Sequence, residues 1–169
     1  MVLVANRLGL RAALDRTSGT VTDFLEQLVG ETIDAHAHRH DMIEAHKASD
    51  LGVEEGEPLL YRAATLQGRT SGCSYVYAES IIVSDRLPTE FGNRLEASTD
   101  PIGRILEEMG IVVTRQDLGE PDGPSRPNGD LKVVDYLLAR TYRIDSEQTP
   151  VMIITEWFLK TLIPFLSLA

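Results

Sequence analysis

Two arginines and two glutamates lie on stretches that otherwise read as apolar strands. Across residues 59–67, Leu60, Arg62, Ala64 and Leu66 share one parity, and Arg62 is its only charge. Across 73–83, Glu79 alternates with Tyr75, Tyr77 and Ile81. Across 133–145, Arg140 stands among Leu138, Tyr142 and Ile144. Across 151–159, Glu156 falls between Met152, Ile154 and Phe158. Side chains on a strand alternate between the two faces of a sheet, so each charge projects from an apolar or aromatic face. An unpaired buried charge costs several kcal/mol, so each of these groups needs a partner. Two arrangements satisfy them. One is a structural network in which Arg140 pairs with Glu79 and Arg62 with Glu156. The other is a closed cavity in which Arg62 grips a carboxylate through its planar fork and Glu156 holds a hydroxyl at the far end. An apolar floor between two such ends suits a flat ring carrying a carboxylate and a hydroxyl.

Other chemistry-bearing residues give weaker signals. His36, His38 and His40 fall on one parity of an extended stretch, a spacing that can ligate zinc. The apolar residues Ile33, Ala35, Ala37 and Ile43 take the other parity, so the histidines are expected to face solvent without the supporting contacts a metal site needs. The His-x-His pattern is also found in metal-dependent amidohydrolases, but their barrel needs about 250 residues. No metal is expected. Cys73, the single cysteine, begins a strand beside a turn and reads as a packing residue rather than a nucleophile. It also excludes an intrachain disulfide and fits a reducing compartment. Phosphate-binding glycine loops and the Gly-x-Ser-x-Gly elbow are missing from the sequence.

The elements that must position these residues follow from periodicity. Helices are expected at 6–16, at 22–29 with Thr22 as N-cap and Gly30 as stop, after Pro88, and from 102 to 109 with Gly110 as stop. Ile102, Ile105, Leu106 and Met109 mark the inward face of the last. Strands are expected at 31–46, 59–67, 73–83, 111–118, 133–145 and 151–159, the second and third joined as a hairpin through the turn 68–72. Residues 119–130 hold three glycines and three prolines and read as an irregular loop. The apolar tail after 160 reads as a short helix. Strand hairpins with helices set between them predict an α+β fold with a mostly antiparallel sheet, as a single domain over 1–169.

Composition narrows the function. Sixteen Lys and Arg face 26 Asp and Glu, a net charge of −10. Such a surface repels nucleic acid and anionic membranes, so an anion site has to be built locally from specific arginines. No apolar run approaches the ~20 residues of a membrane span, and no leader pattern is read at the start, so a cytoplasmic protein is expected.

Several short motifs in order resemble a known family. The segment from Pro150 to Leu159, with Thr155-Glu156-Trp157-Phe158-Leu159, resembles the Thr-Glu-x-Phe-Leu of chorismate pyruvate-lyases. Tyr61-Arg62 with Leu66 and Gly68 is similar to their arginine-bearing strand. Tyr77-Ala78-Glu79-Ser80 and Arg86-Leu87-Pro88 resemble the branch of actinomycetes, cyanobacteria and archaea. Asp100-Pro101-Ile102-Gly103 is similar to a Pro-Leu-Gly at a helix start. The resemblance covers residues 17–159. It implies an antiparallel sheet with a buried ligand cavity closed by helical flaps, and conversion of chorismate to 4-hydroxybenzoate and pyruvate without a cofactor. It assigns carboxylate binding to Arg62, the product hydroxyl to Glu156 and a backbone contact to Ile102, with a further ligand contact near Val21. In the family's ubiquinone-branch enzymes an arginine can stand where this chain has Glu79. Arg140 is expected to meet the departing pyruvyl carboxylate or to neutralise Glu79. The competing class is a non-catalytic module that binds small aromatic acids, related to the effector domains of bacterial regulators. No helix-turn-helix is read ahead of the sheet, which argues against DNA binding.

Overall fold

The computed structural model describes residues 2–17, 19–46, 50–121 and 136–166. They form α1 (Val2–Asp15), α2 (Val21–Val29), β1 (Ile33–Glu44), β2 (Pro58–Gly68), β3 (Ser74–Ile82), α3 (Thr89–Ala97), α4 (Ile102–Glu108), β4 (Val113–Gly119), β5 (Tyr136–Ser146), β6 (Thr149–Leu159) and α5 (Ile163–Leu166). The strands make one six-stranded sheet in the order β1-β2-β3-β6-β5-β4, with every neighbouring pair antiparallel. The expected α+β class is therefore the observed one. Most of the loop at 119–130 and the start of the strand expected at 133 fall outside the described residues. Among the described residues, no helix is long and apolar enough to cross a membrane.

The helix starts follow local chemistry. The cap of α2 lies two residues earlier than its apolar pattern suggests, at Thr20 rather than Thr22. The Thr20 hydroxyl accepts the Asp23 N–H at 3.1 Å, and the Asp23 carboxylate accepts the Thr20 N–H at 3.4 Å. This reciprocal pair satisfies two otherwise orphaned donors. Gly30 ends the helix at φ 76°, a conformation that is cheap only for glycine.

The register sorts side chains onto two faces. Arg62 pairs with Ser80, Ser80 with Ile154, and Ile154 with Tyr142. One step along, Ala64 pairs with Ala78, Ala78 with Glu156, and Glu156 with Arg140. All of these share one face, which the helices cover. At one end Leu10 and Leu14 of α1 and Phe24 and Leu25 of α2 pack on Leu66, Val76, Leu138 and Phe158. At the other end Phe91 and Leu95 of α3 and Ile105 and Leu106 of α4 pack on Leu60, Ile82, Ile144 and Met152. Between these clusters the sheet presents Ala64, Ala78 and Ser80. Small side chains at the centre of a covered face leave a hollow where bulkier ones would have filled it.

Candidate active site

That hollow is lined by Arg62, Ala64, Ala78, Ser80, Ile154 and Glu156 from the sheet, by Tyr142 and Arg115 from its far side, and by Thr20–Thr22 and Pro101–Gly103 from the two helix starts above it. The non-atom space in and above it is about 500 Å³, open solvent at the mouth included.

Arg62 is 3% exposed, and its Nε and Nη2 find no acceptor among the described residues. Burial pulls its guanidinium down to about 10, which still leaves it a cation at neutral pH. Glu156, 2% exposed, is fully engaged from behind. Its Oε1 accepts from Arg140 Nε at 2.8 Å and its Oε2 from the Tyr142 hydroxyl at 3.0 Å. Arg140 itself stacks over the rings of Tyr142, at 5.1 Å, and Phe158, at 5.4 Å. Burial lowers the Arg140 pKa, but the adjacent Glu156 carboxylate overrides this and leaves it raised. Burial and the same carboxylate push the Tyr142 phenol well above its ordinary range, so it stays a donor. A carboxylate offers about four acceptor positions, so Glu156 keeps lone pairs for a group in the hollow.

The structure thus pairs Arg140 with Glu156, not with Glu79. Arg62 and Glu156 do not clasp each other. They sit on β2 and β6, two strand spacings apart and one side-chain step along, roughly 12 Å between Cα atoms by ideal sheet geometry. Three of the residues singled out in the sequence, Arg62, Glu156 and Ile102, line the same hollow, as does Val21. Arg140 stands behind Glu156, outside the hollow. Glu79, expected at the site, lies on the opposite face. It pairs in register with Ala63 and Thr155 and accepts from the Tyr77 hydroxyl at 3.1 Å. The reason is that β3 is apolar on both parities, so its ionic residue did not mark the helix-covered side. The histidine row is also corrected. A bulge between Ala37 and Arg39 breaks the parity, so His40 comes into register with Arg62 while His36 pairs with Thr65 on the other face. His38 hydrogen-bonds the Thr65 hydroxyl at 2.6 Å.

Four contributors escaped the sequence reading. Tyr142 was visible on the face of Arg140, but its hydroxyl had no assigned partner. Gly103 lets the two helix starts meet: a Cβ there would lie 2.8 Å from Cβ and Cγ2 of Thr20. Thr22 was taken for a cap. Arg115, on the edge strand β4, reaches over the Tyr142 ring at 5.4 Å and lines the mouth, and only a pairing of β4 with β5 would have placed it there. The start of α4 is held by Arg104, which donates to Glu26 Oε1 at 3.2 Å and to the Ile33 carbonyl at 3.1 Å, tying α4 to α2 and β1.

A six-stranded antiparallel sheet covered by helices on one face, with a buried arginine lining the hollow between them, defines an α+β domain. Its fold is similar to that of the effector domain of PhnF from Mycobacterium smegmatis, with TM-score 0.56 and 15% identity over 85% of this chain and 90% of that one. Full PhnF from the same organism aligns with TM-score 0.55 over 86% of this chain and 66% of that one. Sequence carries the comparison further. Residues 16–166 match the family described as chorismate pyruvate-lyase Rv2949c-like, and the chain belongs to that family. A chorismate pyruvate-lyase of Mycobacterium tuberculosis (strain ATCC 25618 / H37Rv) is 32% identical over 160 residues, covering 91% of this chain and 78% of the relative. One of Mycobacterium leprae (strain TN) is 31% identical over 150 residues, covering 86% and 71%.

Proposed function

We propose that the hollow converts chorismate to 4-hydroxybenzoate and pyruvate without a cofactor. The observation that carries this reading is Arg62, a buried guanidinium with two nitrogens unpartnered among the described residues, lining a hollow with Ala64, Ala78 and Ser80. A group in that state is completed by a planar carboxylate. Glu156 lines the same hollow two strands over, as an acceptor for a hydroxyl. Such a pair of ends reads a para-substituted ring acid.

The reaction is an elimination. The ring's ether bond to the enolpyruvyl oxygen breaks, and the ring carbon bearing the hydroxyl gives up its proton. The electron pair of that C–H bond completes the aromatic ring. The enolpyruvate leaves and takes up a proton at its methylene carbon to become pyruvate. Aromatisation supplies the driving force, so the protein's task is to hold the ring and exclude water. Arg62 anchors the ring carboxylate. Glu156, held in place by Arg140 and Tyr142, accepts from the ring hydroxyl and orients it. Arg140 is spent on Glu156, so the second carboxylate of chorismate falls to Arg115 at the mouth.

A second reading, favoured by the fold shared with a regulator's effector domain, is a site that binds the aromatic acid without turnover. Incubating the purified protein with chorismate and following 4-hydroxybenzoate by absorbance and chromatography separates the two. Product formed in proportion to protein supports the lyase. Saturable binding of 4-hydroxybenzoate with no product above the spontaneous rate refutes it in favour of the module.

A further inference from the structure

Arg62 is not the only polar group left incomplete around the hollow. Thr22, in the first turn of α2, is 1% exposed, lines the same space, and its Oγ1 has no hydrogen-bond partner among the described residues. A threonine in a first helical turn ordinarily uses its hydroxyl to cap the helix or to bond a nearby backbone carbonyl. Here the capping is done by Thr20, whose hydroxyl takes the Asp23 N–H. Leaving a buried hydroxyl unpaired costs folding free energy, and valine has nearly the same shape without that cost.

The donors left incomplete say which end of the ligand the hydroxyl meets. Arg62 and Thr22 are both buried donors without a partner among the described residues, and both line the hollow. Both Glu156 oxygens already accept, from Arg140 and Tyr142. One acceptor group on the ligand completes both open donors. A carboxylate offers about four acceptor positions, and a guanidinium fork occupies two of them.

We propose that the Thr22 hydroxyl donates to the ring carboxylate gripped by Arg62, which makes Thr22 a specificity residue for an aromatic acid over a neutral phenol. This rests on the function proposed above and adds a residue to its site.

The test compares wild type, Thr22→Val and Thr22→Ser with two probes, 4-hydroxybenzoate by calorimetry and phenol by ligand-observed NMR. The melting temperature of each protein is measured without ligand. Thr22→Val is expected to bind 4-hydroxybenzoate roughly tenfold or more weakly, as for a lost hydrogen bond to a charged group. Thr22→Ser, which keeps the hydroxyl, is expected to stay within about threefold of wild type. Phenol affinity is expected to be the same in all three, and the unliganded Thr22→Val protein to melt no lower than wild type. Equal 4-hydroxybenzoate affinity in Thr22→Val overturns the assignment, as does a parallel loss for phenol. A Thr22→Val protein that melts lower or no longer folds also overturns it, since the hydroxyl would then be serving the fold. Wild type that binds 4-hydroxybenzoate in none of these assays overturns the functional reading itself, and the assignment with it.

Discussion

Replacing Arg62 by methionine should make the protein more stable and useless as a catalyst. The aliphatic stem of Arg62 fills space beside Ala64 and Ser80, and methionine reproduces most of that stem. What is lost is a charge that burial has pulled down to about 10 from the ordinary arginine range, with no acidic partner to compensate. At about 1.36 kcal/mol per decade, the charged state of Arg62 costs the folded protein on the order of 3 kcal/mol. The sign is fixed: a cation whose pKa is lower in the folded state destabilises that state at every pH where it is protonated in the unfolded chain. Part of the 3 kcal/mol returns as imperfect packing of the shorter side chain, so a net gain of about 1–2 kcal/mol is expected. For a chain of this size that raises the melting temperature by roughly 2–8 °C. The same substitution removes the carboxylate anchor, and truncating one side of a desolvated charge pair costs 2–5 kcal/mol, a loss of about 30-fold to several thousand-fold in kcat/KM. Scanning calorimetry on the unliganded protein and steady-state turnover of chorismate read the two effects separately. A variant that melts several degrees lower, or one that keeps full turnover, refutes the reasoning. The first result shows a guanidinium satisfied by the fold, and the second shows a site that does not use it.

The other predictions probe the surroundings. Gly103→Ala would place a Cβ 2.8 Å from the Thr20 side chain, so α2 and α4 must part; chemical denaturation should show a loss of about 1–3 kcal/mol together with a raised KM. The β5–β6 hairpin turns through Glu147 at φ 51° and Gln148 at φ 67°, left-handed conformations that favour glycine or asparagine. Gln148→Gly should therefore raise the denaturation midpoint by the equivalent of about 1 kcal/mol and leave turnover alone. Burial raises the Glu79 pKa on the face away from the hollow, against weaker lowering by hydrogen bonds from Tyr77 and Tyr61. A raised folded-state value means that its contribution is fully present below the unfolded carboxylate pKa and lost as pH rises through the folded one. Glu79→Gln should thus be the more stable protein at pH 7, with the difference vanishing toward pH 4 in melting curves. Its turnover should match wild type, and a large loss would return Glu79 to the site.

The sequence made the architecture readable because its strands are long, β-branched and punctuated by glycine and proline, and because Gly30 and Gly110 mark helix ends; the cap of α2 was read at Thr22 and lies at Thr20. Arg62 and Glu156 were readable for a simpler reason: a lone charge on a covered face has to be answered by something. Sidedness was harder to read. Val76, Ala78, Ser80 and Ile82 are as compatible with burial as Tyr75, Tyr77 and Ile81, and only the pairing of β3 with both β2 and β6 decides that Ala78 and Ser80 floor the hollow while Glu79 turns away. The bulge after Ala37 has the same character, since one extra residue brings His40 instead of Arg39 opposite Arg62. Motif residues were likewise ambiguous between site and scaffold. Arg86, part of the segment that resembles the family, donates to the carbonyls of Leu51, Gly52 and Pro150 and so fastens the loop before β2 to the start of β6, far from any ligand. The residues that read chemistry are those whose polar atoms the fold leaves incomplete. In this chain Arg62 and Thr22 meet that condition at the hollow, and Arg86, Arg104 and Arg140 do not.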